Sequence, residues 1–199
     1  MSLLTSFLEE GGELFVVADG QMLRPGPACL TPRLLLPGSF NPIHRGHWQL
    51  AQAASELLGE VAAFEISITN VDKPPIAEDD LRARLRPFTW QAGVWLTHAP
   101  RFADKARAFP GATFVVGADT ALRVVQPAYY GGGAGLTDAL AQIAAAGCRF
   151  LVACRVDQSG QCLGLSDIAV PASFAGLFSE IPPERFRCDL SSTELRTRK

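Results

Sequence analysis

Apolar runs of strand length alternate with runs of helical period along most of this chain, and no other feature constrains its fold as much. Leu34, Leu35 and Leu36 form a short apolar run bounded by prolines, which reads as a buried strand. Further strands are expected around Ala63 to Thr69, Gly93 to Thr97, Thr113 to Val116 and Arg149 to Arg155. Between them, helical spacing predicts helices over Gly46 to Leu58, Glu78 to Arg86, Arg101 to Phe109, from about Asp119, and over Leu136 to Ala146. Such alternation predicts an α/β domain in which a doubly wound parallel sheet carries helices on both faces. Ligands then gather at the carboxyl ends of the strands.

Two stretches stand outside that rhythm. Residues 1–31 read as a short extension of one helix and one hairpin, with Phe15 to Ala18 turning at Asp19-Gly20 before Met22 and Leu23. Residues 32–199 then make the main domain. Gly131 to Gly133, after Tyr129-Tyr130, read as a flexible loop, and a lid over the site is the alternative.

The chain has 199 residues, of which 48% are hydrophobic and 19% charged, enough to fill the core of one globular domain. A net charge of −2 predicts no basic face for nucleic acid. Five cysteines form no CxxC pair and no cysteine–histidine cluster, so neither a disulfide framework nor a zinc site is indicated, and a reducing cytoplasm is expected. The N-terminus lacks a basic leader, and no apolar stretch approaches the length of a membrane span.

Chemistry concentrates in GSFNPIHRGH, Gly38 to His47, which joins the first buried strand to the first long helix. The first N–H groups of a helix lack intrahelical partners, and the macrodipole adds roughly half a positive charge there, so an anion is favoured. Gly38 and Gly46 allow close backbone approach. His44 and His47 can donate to phosphate oxygens and answer charge that builds up on them. An HxxH metal site is the weaker reading, because no third ligand stands at a suggestive spacing.

A second anion cradle is expected near the C-terminus. Ser191 as N-cap and Glu194 three residues on satisfy the capping-box pattern, so a helix should begin there. Its free N–H groups, the hydroxyls of Ser192 and Thr193, and Arg196 one turn later can hold phosphate. The two cradles together suit opposite ends of a polyphosphate.

GSFNPIHRGH resembles the signature of the nucleotidylyltransferase superfamily, and DLSSTELR is similar to its C-terminal ISSTxxR motif. FVVGAD, Phe114 to Asp119, resembles a strand-end motif of nicotinamide and nicotinate mononucleotide adenylyltransferases. The resemblance covers roughly Pro32 to Lys199 and implies a Rossmann-like fold. It implies transfer of AMP from ATP to a phosphate acceptor with release of pyrophosphate, and Mg²⁺ bridging the triphosphate. By that resemblance His44 and His47 are catalytic. Gly38, Ser39, Phe40, Gly46, Ser191, Ser192, Thr193 and Arg196 bind the nucleotide, and Asp119 contacts a ribose or places the acceptor. The partners implied are small molecules, and a homo-oligomer is compatible with the pattern.

The acceptor is read less directly. SFNP is similar to the eukaryotic-type mononucleotide enzymes, whereas the HxGH ending resembles bacterial and cytidylyltransferase versions. TNVDKPP, Thr69 to Pro75, departs from the lysine-bearing loops of the family, and Lys73 reads either as a phosphate contact or as a solvated lysine. Arg82 and Arg84 read as surface charge, with a phosphate contact as the alternative, and Trp90 and Trp95 read as core. His98, just past a strand, is a substrate-binding candidate, and if it occupies the position where pyridine-binding relatives place an aromatic ring, the pyridine assignment weakens. A phosphopantetheine adenylyl or a cytidylyl transfer is the runner-up, and a non-catalytic nucleotide-binding module the third reading. A class I aminoacyl-tRNA synthetase, which also uses an HIGH-like turn, is disfavoured by the short acidic chain.

Overall fold

A computed structural model describes residues 2–26, 31–71, 74–156 and 161–186. The chain opens with α1 (Leu3–Glu10), whose N-cap Ser2 accepts a hydrogen bond from the Thr5 N–H (3.1 Å). Leu4 and Phe7 on one face of α1 are fully buried. Strands β1 (Glu13–Val16) and β2 (Met22–Leu23) follow as a hairpin. The loop is one residue longer than the expected Asp19-Gly20 turn. Val17 N–H bonds the Gln21 carbonyl (2.8 Å), which leaves Ala18, Asp19 and Gly20 between them, and Gly20 takes a left-handed φ of 89°.

Next come β3 (Leu34–Pro37), α2 (Arg45–Leu58), β4 (Ala62–Ser67), α3 (Glu78–Leu85), β5 (Val94–Thr97), α4 (Phe102–Ala108), β6 (Thr113–Gly117), α5 (Ala118–Val124), α6 (Gly133–Ala145) and β7 (Arg149–Ala153). The short β8 (Arg155–Val156) and β9 (Cys162–Leu163) pair with each other, and β10 (Phe178–Ile181) returns to the main sheet.

That sheet has the order β10-β7-β6-β3-β4-β5-β1-β2. From β10 to β5 all pairings are parallel, and β1 adds antiparallel to β5 with Glu13 opposite Thr97. The fold is thus a mostly parallel mixed sheet with helices on both faces, an α/β Rossmann-like domain as expected. Chain order runs outward from β3 in one direction through β4 and β5, and in the other through β6, β7 and β10. This reversal beside β3 opens a crevice at the carboxyl ends of β3 and β6.

Strand alternation divides the core. Leu34, Leu36, Phe64, Ile66, Val94 and Leu96 pack towards α1, α2 and α3. Leu35, Trp95, Phe114, Val116, Phe150 and Val152 pack towards α4, α5 and α6. One buried charge pair interrupts the second layer. Lys105 Nζ on α4 donates to both oxygens of Glu65 on β4 (2.7 and 2.8 Å), and Thr97 Oγ1 donates to the same carboxylate (2.6 Å).

Three expectations are corrected. Gly131 and Gly132 are a two-residue turn and Gly133 is helical, because Pro127–Tyr130 is a 3₁₀ turn ended by Gly131 at φ 73° and α6 begins at Gly133. Its sharp entry needs a small residue, since a Cβ on Gly135 would lie 2.0 Å from the Tyr130 carbonyl oxygen. The strand expected to run to Arg155 stops at Ala153, and Cys154 there forms a disulfide with Cys162 of β9. Pairing of these two was hidden in the cysteine count because the β8–β9 hairpin, which brings their Cα atoms to 5.6 Å, is set by the fold. Lastly, Trp95 is buried as expected, but Trp90 sits in a turn at φ 64° with its side chain exposed. Among the described residues, no helix is long and apolar enough to cross a membrane.

Candidate active site at the start of α2

The segment Gly38 to His47 leaves the central strand β3 at the crevice and enters α2. Gly38 N–H still pairs with the Glu65 carbonyl (2.9 Å), extending the sheet by one residue. A Cβ on Gly38 would lie 2.7 Å from the Phe40 ring, so this glycine makes room for Phe40. Phe40 itself has a left-handed φ of 40° and a ring only 1% exposed. Such a conformation costs a non-glycine residue about 1–3 kcal/mol, and here aromatic packing offsets it. The ring meets His47 edge-on at 5.0 Å and Phe64 and Phe88 at 5.5 Å each, and Trp48 lies 4.8 Å from Phe64. The peptide bond between Asn41 and Pro42 is cis.

The two histidines build the start of α2 between them. His44 is the N-cap, and its Nδ1 accepts from the Gly46 N–H (3.2 Å), while His47 Nδ1 accepts from the His44 N–H (3.2 Å). Histidines therefore take the places that Ser and Glu fill in an ordinary capping box. Their rings lie 3.9 Å apart at 34°. Because each Nδ1 is an acceptor, each neutral ring carries its proton on Nε2. Burial lowers both pKa values, and for His47 burial together with the neighbouring His44 brings it down to about 4 from 6.5. At neutral pH the pair is uncharged and offers two Nε2–H donors at a helix N-terminus.

A stability consequence follows. The unfolded chain takes up a proton on His47 near pH 6.5 and the folded one only near pH 4, so protonation favours unfolding between those values. Lowering the pH from 6.5 to 4 should remove on the order of 3 kcal/mol through this one group. Urea unfolding of the protein and of His47→Gln at pH 7 and 4.5 isolates it, and identical pH slopes would refute the depressed pKa.

Asp119, at the start of α5 and above β6, forms an ion pair with Arg155 at the start of β8. His98 lies at the carboxyl end of β5 and serves packing, with its Nε2 3.1 Å from the Phe7 carbonyl oxygen and its ring 4.8 Å from that of Phe7. It shares a cleft of about 460 Å³ with Gly12, Glu13, Asp104 and Arg107. Lys73, Ser191, Ser192, Thr193 and Arg196 lie outside the described residues.

Sequence reading missed two features. Arg84, taken as surface charge, has a side chain only 12% exposed and donates from Nη1 to the Ser39 carbonyl (3.0 Å), whereas Arg82 does pair on the surface with Glu78. The Glu65–Lys105 pair left no pattern in the sequence, because a contact across 40 residues is made by the sheet. Among the described residues, no group of three or more His, Cys, Asp or Glu side chains could hold a metal ion.

A model of the cytidylyltransferase-like family matches residues 35–198, which takes in the turn, the crevice and the C-terminal segment. The chain belongs to that family. Within the curated proteins, a Trichlorobacter lovleyi protein named "Probable nicotinate-nucleotide adenylyltransferase" is 33% identical to this family member over 93 residues. The match covers 47% of this chain and 43% of the relative's length. Family membership places the chain within the nucleotidylyltransferase superfamily, whose members take nucleoside triphosphates.

Proposed function

We propose that the chain transfers AMP from ATP to a mononucleotide-type acceptor, nicotinate or nicotinamide mononucleotide, releasing pyrophosphate. The observation that carries this reading is the pair of neutral imidazoles at the start of α2, beside the carboxyl ends of β3 and β6. An acceptor phosphate oxygen attacks the α-phosphorus, and the bond from that phosphorus to the α,β-bridging oxygen breaks, so pyrophosphate leaves with the electron pair. His44 and His47 donate from Nε2 to oxygens whose charge grows during that exchange, and the positive end of the α2 dipole adds to the same field. The acceptor is already ionised, so no general base is required and positioning carries the rate.

Ser191, Ser192, Thr193 and Arg196 are proposed to hold the outer phosphates, Lys73 the acceptor phosphate, and Asp119 a ribose hydroxyl. Mg²⁺ would arrive with the triphosphate.

A second reading, cytidylyl transfer or another acceptor, is favoured by one observation. His98, the candidate for the acceptor side, is committed to Phe7 instead of standing free to stack on a pyridine ring. Pyrophosphate release, screened over nicotinate mononucleotide, nicotinamide mononucleotide and phosphopantetheine with ATP and CTP, decides between them. Turnover with ATP and either mononucleotide is the expected result. Turnover only with CTP or phosphopantetheine selects the second reading, and none with any pair leaves a binding module.

A further inference from the structure

We infer that Arg84 is a positioning residue for the phosphate-binding turn, fixing the Ser39–Phe40 peptide and through it the ring of His47. Its guanidinium works on two sides at once. Nε and Nη2 meet both oxygens of Asp80 one turn earlier on α3 (3.2 and 2.5 Å), which leaves Nη1 aimed across the domain at the Ser39 carbonyl (3.0 Å). Two bonds to one carboxylate hold a guanidinium in a fixed plane, so the third bond is delivered without the freedom of a surface arginine. The side chain is largely buried at 12% exposure, although its neighbour Arg82 is 46% exposed.

What the third bond holds is the strained part of the turn. Ser39 precedes Phe40, whose left-handed φ is kept only if both ends of the residue are gripped. Arg84 grips the peptide on its N-terminal side, and the segment directly after α3 grips the ring, because Phe88 packs 5.5 Å from Phe40. The Phe40 ring in turn meets His47 edge-on. A line of contacts therefore runs from α3 to the imidazole, and nothing in it relies on a ligand.

The test reads the turn directly. Only three histidines occur in the chain, so a protein labelled at histidine Cε1 gives three signals. In Arg84→Met the His44 and His47 signals should move, and the His47 titration should shift upward as its surroundings loosen. His98, held by Phe7 two strands away, should stay in place. Unmoved His44 and His47 signals overturn the inference. Equal movement of all three overturns it too, since that reports general loosening. Should the methionine variant not fold, Arg84→Lys, which keeps a charge for Asp80 and gives up the arm to Ser39, is judged by the same signals. A kinetic arm rests on the proposed transfer: kcat should fall about 10- to 100-fold with KM for ATP changed less than about threefold. Unchanged kcat overturns the positioning role. Absence of turnover in the unaltered protein would count against the proposed function instead, and the histidine signals would still decide for or against Arg84.

Discussion

His47→Ala should lower turnover about 100- to 1,000-fold while circular dichroism stays that of the folded protein. A donor aimed at charge that develops during reaction is worth that much in a preorganised site. Loss should fall on kcat, because a neutral Nε2–H adds little to the ground-state binding of a triphosphate that other groups already hold. Stability should drop only modestly, about 1 kcal/mol, since the variant also leaves the His44 N–H without its capping acceptor. Pyrophosphate release measured over a range of ATP concentrations checks it, and a rate near that of the unaltered protein would remove His47 from the chemistry.

Lys105→Met should cost about 3–5 kcal/mol, because it strands the Glu65 carboxylate in the core. Glu65 is 0% exposed and has no route to water for its charge. For a domain of this size that corresponds to a fall in Tm on the order of 10 °C. The double variant Glu65→Gln with Lys105→Met should recover most of the loss, since the amide still accepts from Thr97 and no charge is buried. Thermal unfolding of the single and double variants checks both. A double variant no more stable than Lys105→Met would mean that the ion pair contributes through its charge.

Glu65 also ties two segments together. Glu65 accepts the Gly38 N–H through its backbone and Thr97 through its side chain, and Thr97 in turn accepts the Ala99 N–H (3.2 Å). One buried residue thus links the root of the Gly38–His47 turn, through its backbone, to the β5–α4 connection, through its side chain. His98 sits in that connection.

Much of the fold was legible because it is local. The helix over Arg45–Leu58 and the strand over Leu34–Pro37 follow from periodicity and from the prolines and glycines at their ends. A strand-to-helix turn carrying two histidines was equally readable, since phosphate chemistry at a helix start needs only neighbours in sequence.

Contacts across the sheet were not legible. Arg84 looked like its neighbour Arg82, and only the packing of α3 against the turn turned one inward and left the other in solvent. Gly38 was read as an opening for phosphate, but the Phe40 ring fills the space beside it. His98 was read against a pyridine, and α1, brought back over β5 by the hairpin, took its Nε2. Cys154 and Cys162 became partners only when β8 and β9 paired.

By itself the sequence determined the alternating α/β fold, the strand-to-helix turn and the two histidines that begin α2, because these depend on period, capping and spacing along the chain. Tertiary structure alone decided the protonation of those histidines, the left-handed Phe40 beneath them and the arginine that holds the turn. Burial and contact between distant segments set all three, and neither exists until the sheet has formed.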